Sequence, residues 1–155
     1  SGLSSSTRAV RLGGRGPSSN YQDTIDFATI STTGNYTDFG NLSTAAADGS
    51  ACSNSTRGIY FSGYSGSYTN VIEYIQIATA GNAVDFGDKL ANKGYSVAVS
   101  SPTRAVNMGG FDSPAATNVI EYVEISTLGD AVDFGDIDSG TAQSAGGVSN
   151  GHGGL

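Results

Sequence analysis

The 155-residue sequence has no tryptophan, one cysteine, one methionine and one histidine, and its apolar residues never gather into a long run. Each shortage excludes something. Cys52 has no second cysteine to pair with, so cross-links do not stabilise the fold, and the residue reads as a small buried hydrophobe. No stretch approaches the roughly 18 to 20 apolar residues of a membrane-spanning helix. The opening Ser1 to Val10 lacks a basic region followed by a hydrophobic one, so neither membrane insertion nor an address label is expected. Basic residues are scarce too. Seven Lys and Arg stand against 14 Asp and Glu, and the net charge of -7 opposes attraction to phosphate backbones, so nucleic acid is not an expected partner. His152 lies in a Gly-rich tail with no organised acid or base near it in sequence, which argues against a triad, a His-based metal site and catalysis in general.

What is plentiful is glycine, 23 residues, with abundant Ser and Thr, the profile of many short strands joined by tight turns. The chain repeats itself. Thr7-Arg8-Ala9-Val10 returns as Thr56-Arg57-Gly58-Ile59 and as Thr103-Arg104-Ala105-Val106. Ile25-Asp26-Phe27, Ile72-Glu73-Tyr74 and Ile120-Glu121-Tyr122 keep the same step, as do the Asp-Phe-Gly triplets starting at Asp38, Asp85 and Asp133. Three landmarks in fixed order define a unit of about 48 residues. The expected organisation is one repeat domain over 1–155: units at about 1–48, 49–95 and 96–143, then an extra strand within 144–155.

The third unit reads as four strands: Ser96 to Ser100, Thr103 to Met108, Asn118 to Ser126 and Ala131 to Ile137. Gly109-Gly110 with Phe111 to Pro114 interrupts the second and third, and Leu128-Gly129-Asp130 turns the third into the fourth. The order suits an antiparallel meander. A sheet this small cannot cover its own apolar face, so successive units are expected to lie face to face. Ser144 to Ser149 matches Ser96 to Ser101, a surplus first strand of the kind that closes a ring.

The run Thr103 to Gly110, then Asn118-Val119-Ile120-Glu121-Tyr122, then Phe134 resembles the kelch motif. Phe39, Phe86 and Phe134 stand where kelch repeats generally carry Trp, and Ser62-Gly63 replaces Gly-Gly in the second unit. With its Asn-Val-Ile-Glu-Tyr and Gly-Asn-Ala-Val-Asp-Phe-Gly-Asp segments, the chain is also similar to repeats of bacteriophage structural and tail-associated proteins. The resemblance implies an all-β fold of kelch-like β-propeller blades, completed by other chains or by a missing N-terminal part. It implies a virion or extracellular structural protein whose partners are copies of itself, other virion proteins or a host surface glycan, and alternatively a carbohydrate- or protein-binding adhesin. Neither cofactor nor resident metal is expected.

Asp-Phe-Gly is also a kinase metal-binding triplet, but a kinase carries it once, beside a Gly-rich loop, a strand lysine and a catalytic loop, all missing here. The expected role is a structural turn, with Phe39, Phe86 and Phe134 packing between units. Asp130, Asp133, Asp136 and Asp138 read as a solvated sheet edge rather than a calcium site. Arg8, Arg57 and Arg104 recur at one repeat position, and an ion pair is expected with the Asp38, Asp85, Asp133 set or the Asp26, Glu73, Glu121 set. The loops after the second strands differ most between units. On a rigid scaffold such loops carry binding, which makes Arg15, Tyr64, Tyr68, Phe111 and Asp112 the candidate ligand contacts.

Overall fold

The computed structural model describes residues 1–138 and 146–148. Among these residues twelve strands form three separate four-stranded antiparallel sheets: β1 (Gly2–Ser4) to β4 (Thr37–Asn41), β5 (Ser50–Ser53) to β8 (Val84–Asp88), and β9 (Val97–Ser100) to β12 (Val132–Asp136). Within each sheet every strand pairs with the next in sequence. The second strands are β2 (Arg8–Arg15), β6 (Arg57–Phe61) and β10 (Arg104–Met108); the third are β3 (Tyr21–Thr29), β7 (Val71–Gln76) and β11 (Val119–Glu124). The described helix is one 3-10 turn, Pro17–Ser19. The strands expected in the third unit are present to within two residues at each end. The surplus strand expected in 144–155, and His152 with it, lie outside the described residues, apart from Gly146 to Val148, which carry no strand.

Two apolar clusters hold the sheets together, and each draws on two neighbouring sheets. Leu12, Ile25, Phe39 and Leu42 of the first sheet meet Tyr60, Ile75 and Ile77 of the second. From the opposite face of the second sheet, Ile59, Phe61, Ile72 and Phe86 meet Ala105, Val123 and Ile125 of the third. The middle sheet is therefore buried on both faces, and its strands read as apolar runs such as Ile59-Tyr60-Phe61 instead of alternating. Cys52 is buried in the second cluster, where burial pushes its thiol up to about 12, so the sulfur is an inert packing group.

The Asp-Phe-Gly triplets are not the structural turns expected from the sequence; they lie inside β4, β8 and β12. In each sheet the register slips by one there. Ile25 pairs with Gly40 and Asp26 with Asp38, leaving Phe39 as the extra residue, and Phe86 and Phe134 occupy the same bulge. The bulge re-aims the ring out of the ladder toward the next sheet, burying Phe39 to 3% exposure and Phe86 to 2%. Phe134, with no further sheet beyond it among the described residues, is 56% exposed.

Candidate functional site

The loops after the second strands meet at one end of the molecule, and backbone bonds latch them together. Gly14 N–H donates to the Ala46 carbonyl at 2.8 Å, Tyr64 N–H to Ala47 at 2.7 Å, Tyr95 N–H to Asp48 at 2.7 Å and Phe111 N–H to Gly94 at 2.8 Å. The segments leading from one sheet to the next thus clamp the loops of both. Asp48 and Tyr95 hold equivalent turn positions with φ of 59° and 55°.

On this frame runs a chain of partly exposed rings. Tyr21 meets Tyr64 edge-on at 5.7 Å between centroids, Tyr64 meets Tyr68 at 5.0 Å, and Tyr68 meets Tyr95 at 6.4 Å and Phe111 at 5.7 Å. It crosses all three sheets. At one end the Arg15 guanidinium lies 5.1 Å from the Tyr21 ring centroid and pairs with Asp48 at 2.8 Å. Desolvation raises the Tyr68 hydroxyl, aided by Tyr95, Tyr64 and Asp48, and it raises the Tyr95 hydroxyl, aided by Asp48 and opposed by Arg15, so both stay protonated at neutral pH.

Four of the five candidate contacts, Arg15, Tyr64, Tyr68 and Phe111, therefore belong to one surface. Asp112 is exposed on the adjoining turn and makes none of these ring contacts. Tyr21, Asp48 and Tyr95 belong to the surface but were not among the candidates. Tyr21 opens β3, and Asp48 and Tyr95 sit in the linkers before β5 and β9, so comparing only the loops after the second strands passes over them. Aromatic faces beside an Arg–Asp pair offer stacking to an apolar ring face and hydrogen bonds to its hydroxyls.

The expected ion pairs of the repeated arginines are not formed. Arg8 donates to the Ile77 carbonyl and Arg57 to the Ile125 carbonyl, both at 2.6 Å, and each lies 4.4 Å from a ring centroid, Phe27 and Tyr74. Each guanidinium staples its own third strand to the end of the next sheet's. The carboxylates of the second set are used elsewhere: Asp26 pairs with Arg11, Glu73 accepts the Ser43 N–H, and Glu121 pairs with Lys93. Arg104, on the last sheet, keeps its ring, Tyr122, but pairs with Glu124 at 2.6 Å.

No protein-family model and no curated protein matches this chain. Among the described residues, no three His, Cys, Asp or Glu gather in an arrangement suited to a metal ion. Asp130 instead turns back, its carboxylate accepting the Asp88 N–H at 3.0 Å, as Asn82 accepts that of Asn41.

Proposed function

We propose that this chain is a non-enzymatic structural component of a virion or extracellular fibre of phage type, its three sheets being blades of a kelch-like β-propeller completed by further blades. The observation that carries this reading is the repetition of one contact set across both seams between sheets. The bulged Phe, the Arg-to-carbonyl staple, the buried Glu accepting a neighbour's N–H and the Asn or Asp returning to the preceding sheet each recur. A contact set made for repetition suits a part that adds identical neighbours. Propellers close with roughly four to eight blades, so three call for more. Negative-stain imaging of the purified chain and of the particle that carries it tests the reading. Rings with countable vanes are expected, and their absence from both samples overturns it.

A second reading, an adhesin module that binds carbohydrate or protein through the loops, is favoured by the ring chain from Tyr21 to Phe111. A host surface glycan is the partner this surface suits. On a glycan array, saturable binding lost in Tyr64→Ala and in Tyr68→Ala supports it, and an array without signal removes it.

A further inference from the structure

We infer that the outer face of the third sheet docks the first sheet of a second copy of this chain, head to tail, through the contacts that already join neighbouring sheets. The inference rests on the blade reading and names the partner that completes the ring.

The receiving face is a third edition of a face that is covered twice within the chain. Phe134 is 56% exposed where Phe39 and Phe86 are buried. A Cβ on Gly40 or Gly87 would lie 2.4 Å from the carbonyl oxygen of Gly81 or Gly129 in the next sheet, whereas nothing lies within 4 Å of one on Gly135. Gly135 has the same left-handed backbone, φ 140° against 150° and 145° at Gly40 and Gly87, so the bulge is already shaped for the approach and the space beside it is open. Arg104 rests on Tyr122 as Arg8 and Arg57 rest on Phe27 and Tyr74, but among the described residues it staples no carbonyl of a following sheet and pairs with Glu124 instead.

The first sheet carries the complementary set, and it is equally bare. Ile30 holds the repeat position of Ile77 and Ile125; those two are 1% and 0% exposed, and Ile30 is 55% exposed. Gly34 and Asn35 hold the positions of Gly81-Asn82 and Gly129-Asp130, which approach the preceding bulge and accept its neighbour's N–H. In the docked pair, Ile30 of the second copy covers Phe134 and offers its carbonyl to Arg104, while Gly34 of the second copy passes Gly135. Asn35 of the second copy then accepts the Asp136 N–H. Beside β9, the second copy's β1 takes the place that Gly147 holds in the single chain, against Val97 and Val99.

Both faces belong to one chain, so the contact is heterologous and must close or propagate. Three sheets per chain make two copies the homo-oligomer that falls within the roughly four to eight blades of closed propellers. Light scattering on the full chain is expected to give twice 15.6 kDa. Phe134→Asp and Ile30→Asp, both at exposed positions and checked for folding by circular dichroism, are each expected to give monomers. Mixed, they are expected to form a one-to-one complex, because each supplies the face that the other lacks. A dimer that survives either substitution, or a mixture that stays monomeric, overturns the inference. A tandem fusion of two full chains keeps the blade reading separate. A fusion that closes into one ring while separate chains stay monomeric overturns the second-copy inference alone. A fusion that melts as two independent halves overturns the blade reading itself.

Discussion

The seam between the first and second sheets and the seam between the second and third place different chemistry on the same backbone. In the first, Leu42, Ala46, Tyr60 and Glu73 are all buried, and Glu73 accepts the Ser43 N–H at 2.8 Å. In the second, the equivalent positions hold Lys89, Lys93 and Asn107 around Glu121. Glu121 accepts from the Leu90 N–H and the Asn107 amide, both at 2.8 Å, and pairs with Lys93 at 3.0 Å. Lys89 donates to the Ser62 and Lys93 carbonyls. The bulged phenylalanine, the arginine staple and the glutamate-to-amide bond are common to both seams. The centre is therefore free to be apolar or ionic, provided every buried polar atom finds a partner.

The shared skeleton should show the largest and most equal effects. Phe39→Ala and Phe86→Ala are each expected to lose about 3–5 kcal/mol in urea unfolding, since each empties a buried bulge pocket. A loss at only one seam would break the equivalence. The glutamates should then separate the seams. Glu121→Ala strands the Lys93 ammonium, 1% exposed, and is expected to cost about 3–5 kcal/mol. Glu73→Ala leaves one amide unpaired and should cost about 1–3 kcal/mol. Equal losses would mean that the Lys93 pair adds nothing beyond the amide bond.

The seams also predict pH slopes of opposite sign. Burial lowers Lys89 to about 7 from 10.5, with Lys93 adding to the shift and Glu121 opposing it. Between those values the unfolded chain binds more protons than the folded one, so stability rises as pH rises from about 7 toward 10. Burial raises Glu73, and the charge of Asp85 adds to this, while the Ser43 N–H opposes it. Its contribution is fully present below the ordinary 4.5 and is lost as pH rises through the raised folded value. Thermal melts across pH should therefore show Lys89→Leu flattening the alkaline slope and Glu73→Gln flattening the acidic one. A Lys89→Leu variant that keeps the alkaline slope would place its origin elsewhere.

Much of the sheet architecture was legible because a recurring unit announces itself three times, and Thr-Arg, Ile-Glu-Tyr and Asp-Phe-Gly mark three of its four strands. Contacts between units left weaker marks. A backbone carbonyl is the same in every residue, so nothing in the sequence names Ile77 and Ile125 as the partners of Arg8 and Arg57, and a carboxylate was the natural guess. Lys89 and Lys93 were passed over because Leu42 and Ala46 hold their repeat positions in the first unit, which hides the role under a change of chemistry. The ring surface was legible in part, since Tyr64, Tyr68 and Phe111 stand in the loops that vary. Tyr95 joins them through a turn whose left-handed backbone the sequence does not mark.

The smallest effects concern the arginines, and they compare a seam that exists with one left open. Arg57 spans the second seam, donating to Ile125 while lying over Tyr74, so Arg57→Met is expected to cost about 1–2 kcal/mol through the lost carbonyl bond and ring contact. Arg104→Met removes an exposed pair with Glu124 on the outer face, and in the single chain it should leave the melting temperature unchanged. In the docked dimer the order tightens, because Arg104 then staples Ile30 of the second copy as Arg57 staples Ile125. Melting both variants over a dilution series separates the cases. The Arg104→Met loss should appear only at protein concentrations where the wild-type chain is dimeric, while the Arg57→Met loss should not vary with concentration.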